Sequence, residues 1–380
     1  MESANPKLRI KAAVPVLPRI GLNMIVKNES HVLEGLFRSV APLIDTWTIV
    51  DTGSADGTPE LIERLMAELG KPGHLHRRPW RDFGSNRSEA LALARGTAAY
   101  HWVIDADDLI VGELRFPELT LPCYYLRYGK GFTYLRQQLF RDDLPWRYVG
   151  VLHEYPSCDQ DVEIGVLEGN YYIESRRLGA RNRDPNKYLN DVRVLEEGLR
   201  QEPQNSRYWF YLGQSYFDAG LFEKALEAYR HRVSLKGWGE EVFFAQLKAG
   251  LCLERLNAPT SEIISALLEA WRGRPVRAEA LYQLSRILRL RGEHELAAMF
   301  ARQGLAVPQP PDRLFVDATC YSFGLADEFS VAAYYSQSPV VAREGYATCR
   351  TLANRTDIPE EVRARATSNL EWYRKKFPEG

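Results

Sequence analysis

Several features that would commit a sequence early are missing from this one. Its five cysteines (Cys123, Cys158, Cys252, Cys320 and Cys349) are odd in number and far apart, with no CxxC pair. That spacing suggests neither a zinc knuckle nor a disulfide framework, and makes reduced, buried thiols the expectation. No run approaches the ~20 apolar residues that a membrane helix needs. The stretch from Met1 to Pro18 mixes Lys7, Arg9 and Lys11 with Pro15 and Pro18 and has no apolar core of a secretion signal. No membrane span and a cytoplasmic location are therefore expected. Positive charge is not in excess either: the formal net charge is −1. A protein built to wrap nucleic acid carries a basic surplus, so that class gains no support, although a local basic patch stays open.

What is present suits a folded globular protein. The hydrophobic share of 45% and the charged share of 26% are those of a globular chain, and 380 residues suffice for two domains of ordinary size. The first part alternates strand and helix patterns. Ile20 to Val26 is a short apolar run that reads as a buried strand. Glu29 to Val40 repeats apolar residues at helical spacing (Val32, Leu33, Leu36, Phe37, Val40). Thr46 to Val50 predicts a second strand ending at Asp51, Thr58 to Leu69 a helix, Ser88 to Arg95 another, and Tyr100 to Ile104 a strand ending at Asp105. Such alternation implies a largely parallel sheet flanked by helices, with ligands beyond the carboxyl ends of the strands. Leu121 to Ile173 then reads as an antiparallel extension. It has strand patterns at Tyr124 to Tyr128 and Phe132 to Phe140, and a turn at Gly129 and Gly131.

After Arg183 the pattern is helical throughout. Tyr208 to Phe217 and Glu223 to Val233 are amphipathic and are separated at Gly220; Ala278 to Leu290 and Glu295 to Leu305 are separated at Gly292. Gly220 and Gly292 stand two units of about 36 residues apart, close to the period of a paired-helix repeat. Trp209, Leu212, Gly213 and Tyr216 fill the pattern W-x2-L-G-x2-Y, with Ala225 and Tyr229 following. The later unit keeps Leu281, Leu284, Leu288, Gly292 and Ala297 but has Ser285 for the glycine; the stretch between, Gln246 to Trp271, fits poorly. On these residues the second half resembles a tetratricopeptide-repeat array, and the aromatic stretch Trp209 to Phe217 reads as repeat core rather than as a groove. Residues 310–380 continue as helix without an interpretable motif.

The chemistry is concentrated at strand ends. Asp105-Ala-Asp107-Asp108 follows an apolar strand directly. Clustered carboxylates repel one another unless something positive compensates them, and a hard divalent cation bridging to phosphates is one such partner; a solvated turn or a helix cap is the plainer reading. Asp51-Thr-Gly-Ser-Ala-Asp-Gly-Thr58 also follows a strand, and Asp56 or Thr58 can cap the helix beginning near Pro59. Asp51 can accept a hydrogen bond from a base N–H or simply form a turn. Trp80-Arg-Asp-Phe-Gly-Ser-Asn-Arg87 opens a further helix, where Asn86 and Arg87 can reach phosphate or ribose. His153-Glu154 offers a metal ligand and a base for an acceptor proton, with Asp108 as a rival base; a structural pair is the alternative. Arg176, Arg177, Arg181 and Arg183 form either a basic loop over a diphosphate or a solvated linker.

Taken in order, Met24-Ile-Val-Lys-Asn-Glu29, Val50 to Thr58, Asp82-Phe-Gly-Ser-Asn-Arg87 and Asp105-Ala-Asp107 resemble the family-2 glycosyltransferases of GT-A fold. One departure is Asn86-Arg87, where that family commonly has Arg-Asn, which leaves open which of the two faces the nucleotide. The resemblance implies an α/β Rossmann-like GT-A domain with a mixed, mainly parallel sheet over residues 1–175, joined to an all-α tetratricopeptide-like domain over 176–380. It implies that Ile25, Val26 and Asp51 line the nucleobase pocket, that Asp105 lies near the ribose, and that Asp107, with His153 as a further ligand, holds Mn²⁺ or Mg²⁺ on the diphosphate. Asn86, Arg87 and Arg181 complete the nucleotide-binding set, and Glu154 or Asp108 is the catalytic base. A UDP-sugar is the family's commonest donor, and inversion its commonest stereochemistry. The expected activity is that of a hexosyltransferase-type enzyme. A helical array offers a long face suited to extended chains, so a peptide or protein acceptor is expected, and a homodimer is reasonable. Glycan, lipid-linked and nucleic-acid acceptors, or a degenerate domain kept as a binding scaffold, are the competing readings.

Overall fold

The computed structural model describes residues 19–130, 134–176 and 178–378. The expectations on Met1 to Pro18, Gly131, Phe132 and Arg177 lie outside them. The chain divides into two compact units, Met1–Lys187 and Tyr188–Gly380. The division falls after Lys187 rather than after residue 175, because the intervening segment bonds back onto the first unit through Arg176, Gly179 and Ala180.

The first unit runs β1 (Ile20–Val26), α1 (Leu33–Val40), β2 (Thr46–Asp51), α2 (Thr58–Glu68), β3 (Gly73–Arg77), α3 (Phe83–Ala94), β4 (Tyr100–Val103), β5 (Asp108–Gly112), β6 (Cys123–Tyr128), β7 (Tyr134–Arg141), β8 (Arg147–Val149), β9 (Tyr155–Ser157), β10 (Ile164–Val166) and β11 (Tyr171–Ser175). The main sheet has the order β3-β2-β1-β4-β7-β6-β11-β5, with β10 alongside β6, and β8 and β9 form a separate ribbon. From β3 to β4 the strands are parallel; β7 runs antiparallel to β4 and begins the mixed half. β1 and β2 are buried on both faces apart from Ile25, which is why their sequences read as continuous apolar runs rather than alternations. Leu33, Leu36, Phe37 and Val40 make α1's buried stripe, each worth roughly 1.5–3 kcal/mol for leaving water.

Topology places the site. The chain leaves β1 for β2 and β3 on one side, then returns to lay β4 on the other side of β1. The register pairs Val26 with Asp51 across β1 and β2, and Asn23 with Val103 across β1 and β4. Asp51 and the Asp105 turn thus flank the carboxyl end of β1. This is a topological switch point, where open parallel sheets form a crevice.

Three expectations shift at element ends. Glu29 to Val32 is a turn and not helix, because the N–H groups of Asn28, Glu29 and Ser30 are taken by side chains of the next loop. α3 starts at Phe83 rather than at Ser88, since Asp82 caps it by accepting from Ser85 N at 2.7 Å. β3 and β5 are strands that apolar patterning does not reveal: β3 is the polar edge strand Gly-His-Leu-His-Arg, and β5 starts inside the acidic motif at Asp108.

The second unit is helical, with α4 (Lys187–Gln201) opening at the division and α5 (Ser206–Asp218), α6 (Phe222–Ser234), α7 (Gly239–Arg255), α8 (Thr260–Gly273), α9 (Glu279–Leu290), α10 (His294–Leu305), α11 (Leu325–Ala332), α12 (Pro339–Ala353) and α13 (Glu360–Lys376) following. The poorly fitting middle stretch is a full helix pair, α7 and α8. Gly220, Asn257 and Gly292 all take left-handed backbone (φ 76°, 55° and 80°). Each closes its first helix with the same pair of bonds: Gly220 N to Phe217 O and Leu221 N to Tyr216 O, then Asn257 N to Glu254 O and Ala258 N to Leu253 O, then Gly292 N to Arg289 O and Glu293 N to Leu288 O. This is the Schellman closure, which asparagine supports because it tolerates the left-handed region. Two helical turns earlier stand Gly213, Gly250 and Ser285. A side chain at Gly213 would meet Tyr229 at 2.7 Å and one at Gly250 would meet Leu267 at 2.5 Å, while Ser285 donates its hydroxyl to Ala297 O at 2.9 Å. The middle repeat therefore keeps the small residue of its first helix and the turn, and departs from the first repeat at the aromatic and leucine positions.

Candidate active site

Two loops at the carboxyl edge of the sheet are stitched to each other by their own side chains. Asn28 N donates to Ser54 Oγ at 2.8 Å, Ala55 N to Asn28 Oδ1 at 2.8 Å, Glu29 N to Thr58 Oγ1 at 2.9 Å and Ser30 N to Asp56 Oδ2 at 3.1 Å. Asn28 adopts φ 58° to make this possible. Asp56 accepts from Thr58 as well. Burial alone would raise its pKa, but the hydrogen bonds from Thr58 and Ser30 outweigh it and pull the carboxyl down to about 2. Asp56 thus orders the turn before α2, although the N-cap position itself is Gly57, in left-handed backbone. Asp51 accepts from Gly53 N and Ser54 N at 3.1 Å each, so it shapes the same turn.

Beyond β4 lies a charge cluster. Arg87, from the second turn of α3, donates Nη2 to Asp105 Oδ1 and Nε to Glu154 Oε1, the latter at 2.7 Å. Arg136 of β7 reaches the other oxygen of Asp105 at 3.0 Å and lies over the Tyr128 ring at 5.0 Å. Burial would raise the pKa of Asp105, yet these two guanidinium groups hold it well below the usual carboxylate range. Asp108 has the opposite surroundings. Its carboxylate is fully buried and accepts Tyr128 Oη–H at 2.7 Å on Oδ2, and among the described residues Oδ1 has no partner. Burial first, then the nearby Asp105, push it up to about 7. Carboxylates three residues apart are thus tuned in opposite directions, a pattern typical of sites that do chemistry.

Asp107 sits between them, and among the described residues no arginine bonds to its carboxylate. Its Oδ2 accepts Gly179 N at 2.9 Å and its backbone carbonyl accepts Arg176 Nε at 3.0 Å. Glu29 lies beside it, accepting Ala180 N at 3.2 Å, and burial raises its pKa. Arg176, Gly179 and Ala180 therefore strap over both carboxylates. Gly179 suits that strap because a side chain there would stand 3.3 Å from Glu29 and 3.4 Å from Asp107. Arg181 follows, with its guanidinium 4.9 Å from the Phe83 ring at the start of α3.

The expected site residues divide accordingly. Arg87, Asp105 and Glu154 are joined directly. Asp107 adjoins them in sequence, and through Gly179 and Ala180 it connects to Glu29 and the β1–β2 loops. Asn86 is fully buried and faces inward, accepting Arg81 N at 2.8 Å and donating to Pro79 O at 3.1 Å. It holds the loop before α3, while Arg87 carries charge into the cluster. Ile25 is the one partly exposed residue of β1 and Val26 is buried. His153 is exposed, with φ 52°, beside Glu154.

Among the described residues no group of three or more His, Cys, Asp or Glu side chains is placed to hold a metal ion. The donor chemistry still fits a hard cation held mainly by phosphate oxygens, because such ions need only one or two protein carboxylates. Asp107 is such a carboxylate, held by backbone N–H rather than by a guanidinium.

Comparison with known proteins agrees with this geometry. The model of Glycosyl transferase family 2 matches residues 23–120, and that of the Tetratricopeptide repeat matches residues 192–231. The N-terminal unit holds a family-2 glycosyltransferase domain. It is fused to tetratricopeptide-type repeats. Among curated proteins, the chain is 26% identical over 315 residues to a TPR repeat-containing protein of Synechococcus elongatus, covering 78% of this chain and 68% of that protein. It is 22% identical over 261 residues to the prophage-derived glycosyltransferase SunS of Bacillus subtilis, covering 63% of this chain and 60% of SunS. A solved tetratricopeptide protein of Thermus thermophilus is 20% identical, over 49% of this chain and 92% of that one, with a TM-score of 0.34, too loose to carry an argument.

The glycosyltransferase match ends at residue 120, before Arg136, Glu154 and Arg181. Nothing in the sequence pattern singles out Arg136. It lies in a strand with no motif, and only the pairing of β7 with β4 and β6 brings it to Asp105. Glu29 is visible within the first motif, but its link to Asp107 runs through Gly179 and Ala180.

Proposed function

We propose that the chain transfers a sugar from a nucleotide-diphosphate sugar, with a UDP-sugar as the first donor to test, onto a peptide or protein acceptor by an inverting displacement. The observation that carries this reading is the convergence of Arg87, Asp105, Asp107 and Glu154 at the switch point of a family-2 glycosyltransferase sheet. The name of SunS and the fused helical repeats support the direction of the assignment.

In this reading Ile25, Val26 and Asp51 border the base, Asp105 stands at the ribose, and Arg181 approaches the diphosphate from the start of α3. Asp107 and, as its further ligand, His153 would hold Mn²⁺ or Mg²⁺, which when bound offsets the charge that builds on the leaving diphosphate. Glu154 takes the acceptor's proton as the acceptor atom bonds to the anomeric carbon and the bond to the diphosphate oxygen breaks, its electrons leaving with the diphosphate. Arg87 is the positioning residue: its bond to Oε1 aims Glu154 and leaves Oε2 to receive the proton. Asp108 is sealed from substrate by burial, so the base is assigned to Glu154.

The test is thermal melting with UDP, GDP, CMP and dTDP, each with and without Mn²⁺. A ligand at ~100 times its Kd stabilises by about 2.7 kcal/mol, which is a shift of several degrees. One nucleoside diphosphate should raise the melting temperature only with Mn²⁺, and Asp107→Ala should lose that shift while melting near the wild-type temperature on its own. A folded protein that responds to none of the four would remove the donor assignment.

A further inference from the structure

The two guanidinium groups on Asp105 are anchored differently. Arg87 has 9% of its side chain exposed and is tied at two points, by Nη2 to Asp105 Oδ1 and by Nε to Glu154 Oε1 at 2.7 Å. Arg136 has 38% of its side chain exposed, and its one hydrogen bond among the described residues runs from Nη1 to Asp105 Oδ2 at 3.0 Å. A guanidinium carries five N–H donors, so most of those on Arg136 are unused. The carboxylate oxygen open to an arriving ligand is thus the one that Arg136 covers.

The β6–β7 pair builds a pivot beneath Arg136. Arg136 and Gln138 stand two residues apart on β7 and share a face, and both meet Tyr128 of β6. The Arg136 guanidinium lies 5.0 Å from the centre of the Tyr128 ring, and Gln138 Nε2 donates to Tyr128 Oη. That hydroxyl in turn donates to Asp108 Oδ2 at 2.7 Å. Tyr134 stacks on the same ring with 5.1 Å between centres. Tyr128 is fully buried, so the ring is fixed while the arginine head is not. A cation within ~6 Å of an aromatic face keeps its attraction to that face, and the head can therefore turn over Tyr128 and still be held by it.

A nucleoside diphosphate entering this crevice brings negative charge towards Asp105 and Asp107, and like charges repel. Arg87 cannot answer that charge, because it is committed to two carboxylates. Arg136 can, and a planar fork of donors suits phosphate oxygens. The exchange leaves no group unpaired. A ribose hydroxyl donates to Asp105 Oδ2 in place of Arg136 Nη1, and the guanidinium gives its N–H groups to the phosphates.

We propose that Arg136 caps Asp105 in the donor-free chain and passes to the donor's diphosphate as a ribose hydroxyl replaces it on the carboxylate. This rests on the donor reading above, with Asp105 at the ribose. The probes are UDP, GDP, CDP and dTDP, titrated calorimetrically into the full chain with Mn²⁺, each paired with its own nucleoside measured by competition against it. Arg136→Met should weaken the nucleotide that binds by about tenfold, the share of a charge-assisted hydrogen bond. The matching nucleoside should bind that variant at least as tightly as it binds the wild type, because Asp105 no longer has to be uncapped. Arg136→Lys keeps a cation beside Asp105 without the fork, and so serves if the methionine variant does not fold. It should lose about threefold on the nucleotide and nothing on the nucleoside. An equal loss on nucleotide and nucleoside would mean that Arg136 only holds Asp105 in place. Unchanged or tighter nucleotide binding would mean that it never reaches the diphosphate. Either result overturns the exchange and leaves the donor reading standing, whereas a folded wild type that binds none of the four nucleotides overturns both.

Discussion

At the residue scale, the site is governed by which carboxylates have cations beside them. Asp105 has two, Arg87 and Arg136, and stays ionised. Asp108 has a tyrosine and an unpartnered oxygen, with Arg136 only partly relieving its burial, and is pushed up to about 7. A raised folded-state pKa favours the protonated form, so its stabilising effect is complete below the unfolded value of about 3.9 and is lost as pH rises to about 7. Asp108→Asn keeps the shape and cannot ionise. Metal-free melting curves from pH 4 to pH 8 should show the wild type losing stability relative to Asp108→Asn up to about pH 7, and a constant difference above it. Parallel curves across the whole range would mean that Asp108 is ionised when folded.

At the element scale, both units depend on a few positions where backbone or contact geometry admits only certain residues. The helix-closing turns at Gly220, Asn257 and Gly292 share one conformation and one bonding pattern. A residue other than glycine or asparagine pays ~1–2 kcal/mol in that region. Gly220→Ala and Asn257→Ala should therefore each destabilise the second unit by about 1–2 kcal/mol, while Asn257→Gly should be close to neutral. Urea denaturation followed by helical circular dichroism would read this. A harmless Asn257→Ala would show that the middle repeat does not depend on its turn. The same position explains why the middle repeat is obscure in sequence. Repeat recognition leans on the aromatic and leucine positions of the first repeat, and at the equivalent places the middle one has Gln246, Ala249 and Leu253. Its Gly250 and Asn257 carry the shared geometry with less distinctive letters.

At the scale of the whole molecule, the two units pack in two different ways. The parallel sheet gathers loops at one edge, and the stacked helix pairs leave a lined groove. Hydrogen exchange on the full chain tests the proposed nucleotide crevice. Nucleotide with Mn²⁺ should slow exchange in residues 27–31, 52–58 and 178–181. Nucleotide protection appearing elsewhere while those loops stay unprotected would displace the donor site from the β1–β4 crevice.

The sequence by itself determined the alternation of β1 to β4 with their helices, the acidic motif at a strand end, and the first helical repeat. These are signals of local period and turn chemistry, which neighbouring residues fully define. It also placed Arg87, Asp105, Asp107 and Glu154 among the candidates. Tertiary structure alone decided that Arg87 joins Asp105 to Glu154, that Arg136 completes the cluster, that Asp108 is sealed off, and that the strap at Gly179 and Ala180 closes over Asp107 and Glu29. Each of these joins residues from different strands or loops, and such pairings depend on strand order and on burial. Neither is encoded in the spacing of residues along the chain, because the field at a carboxylate is set by what packs against it and not by what precedes it.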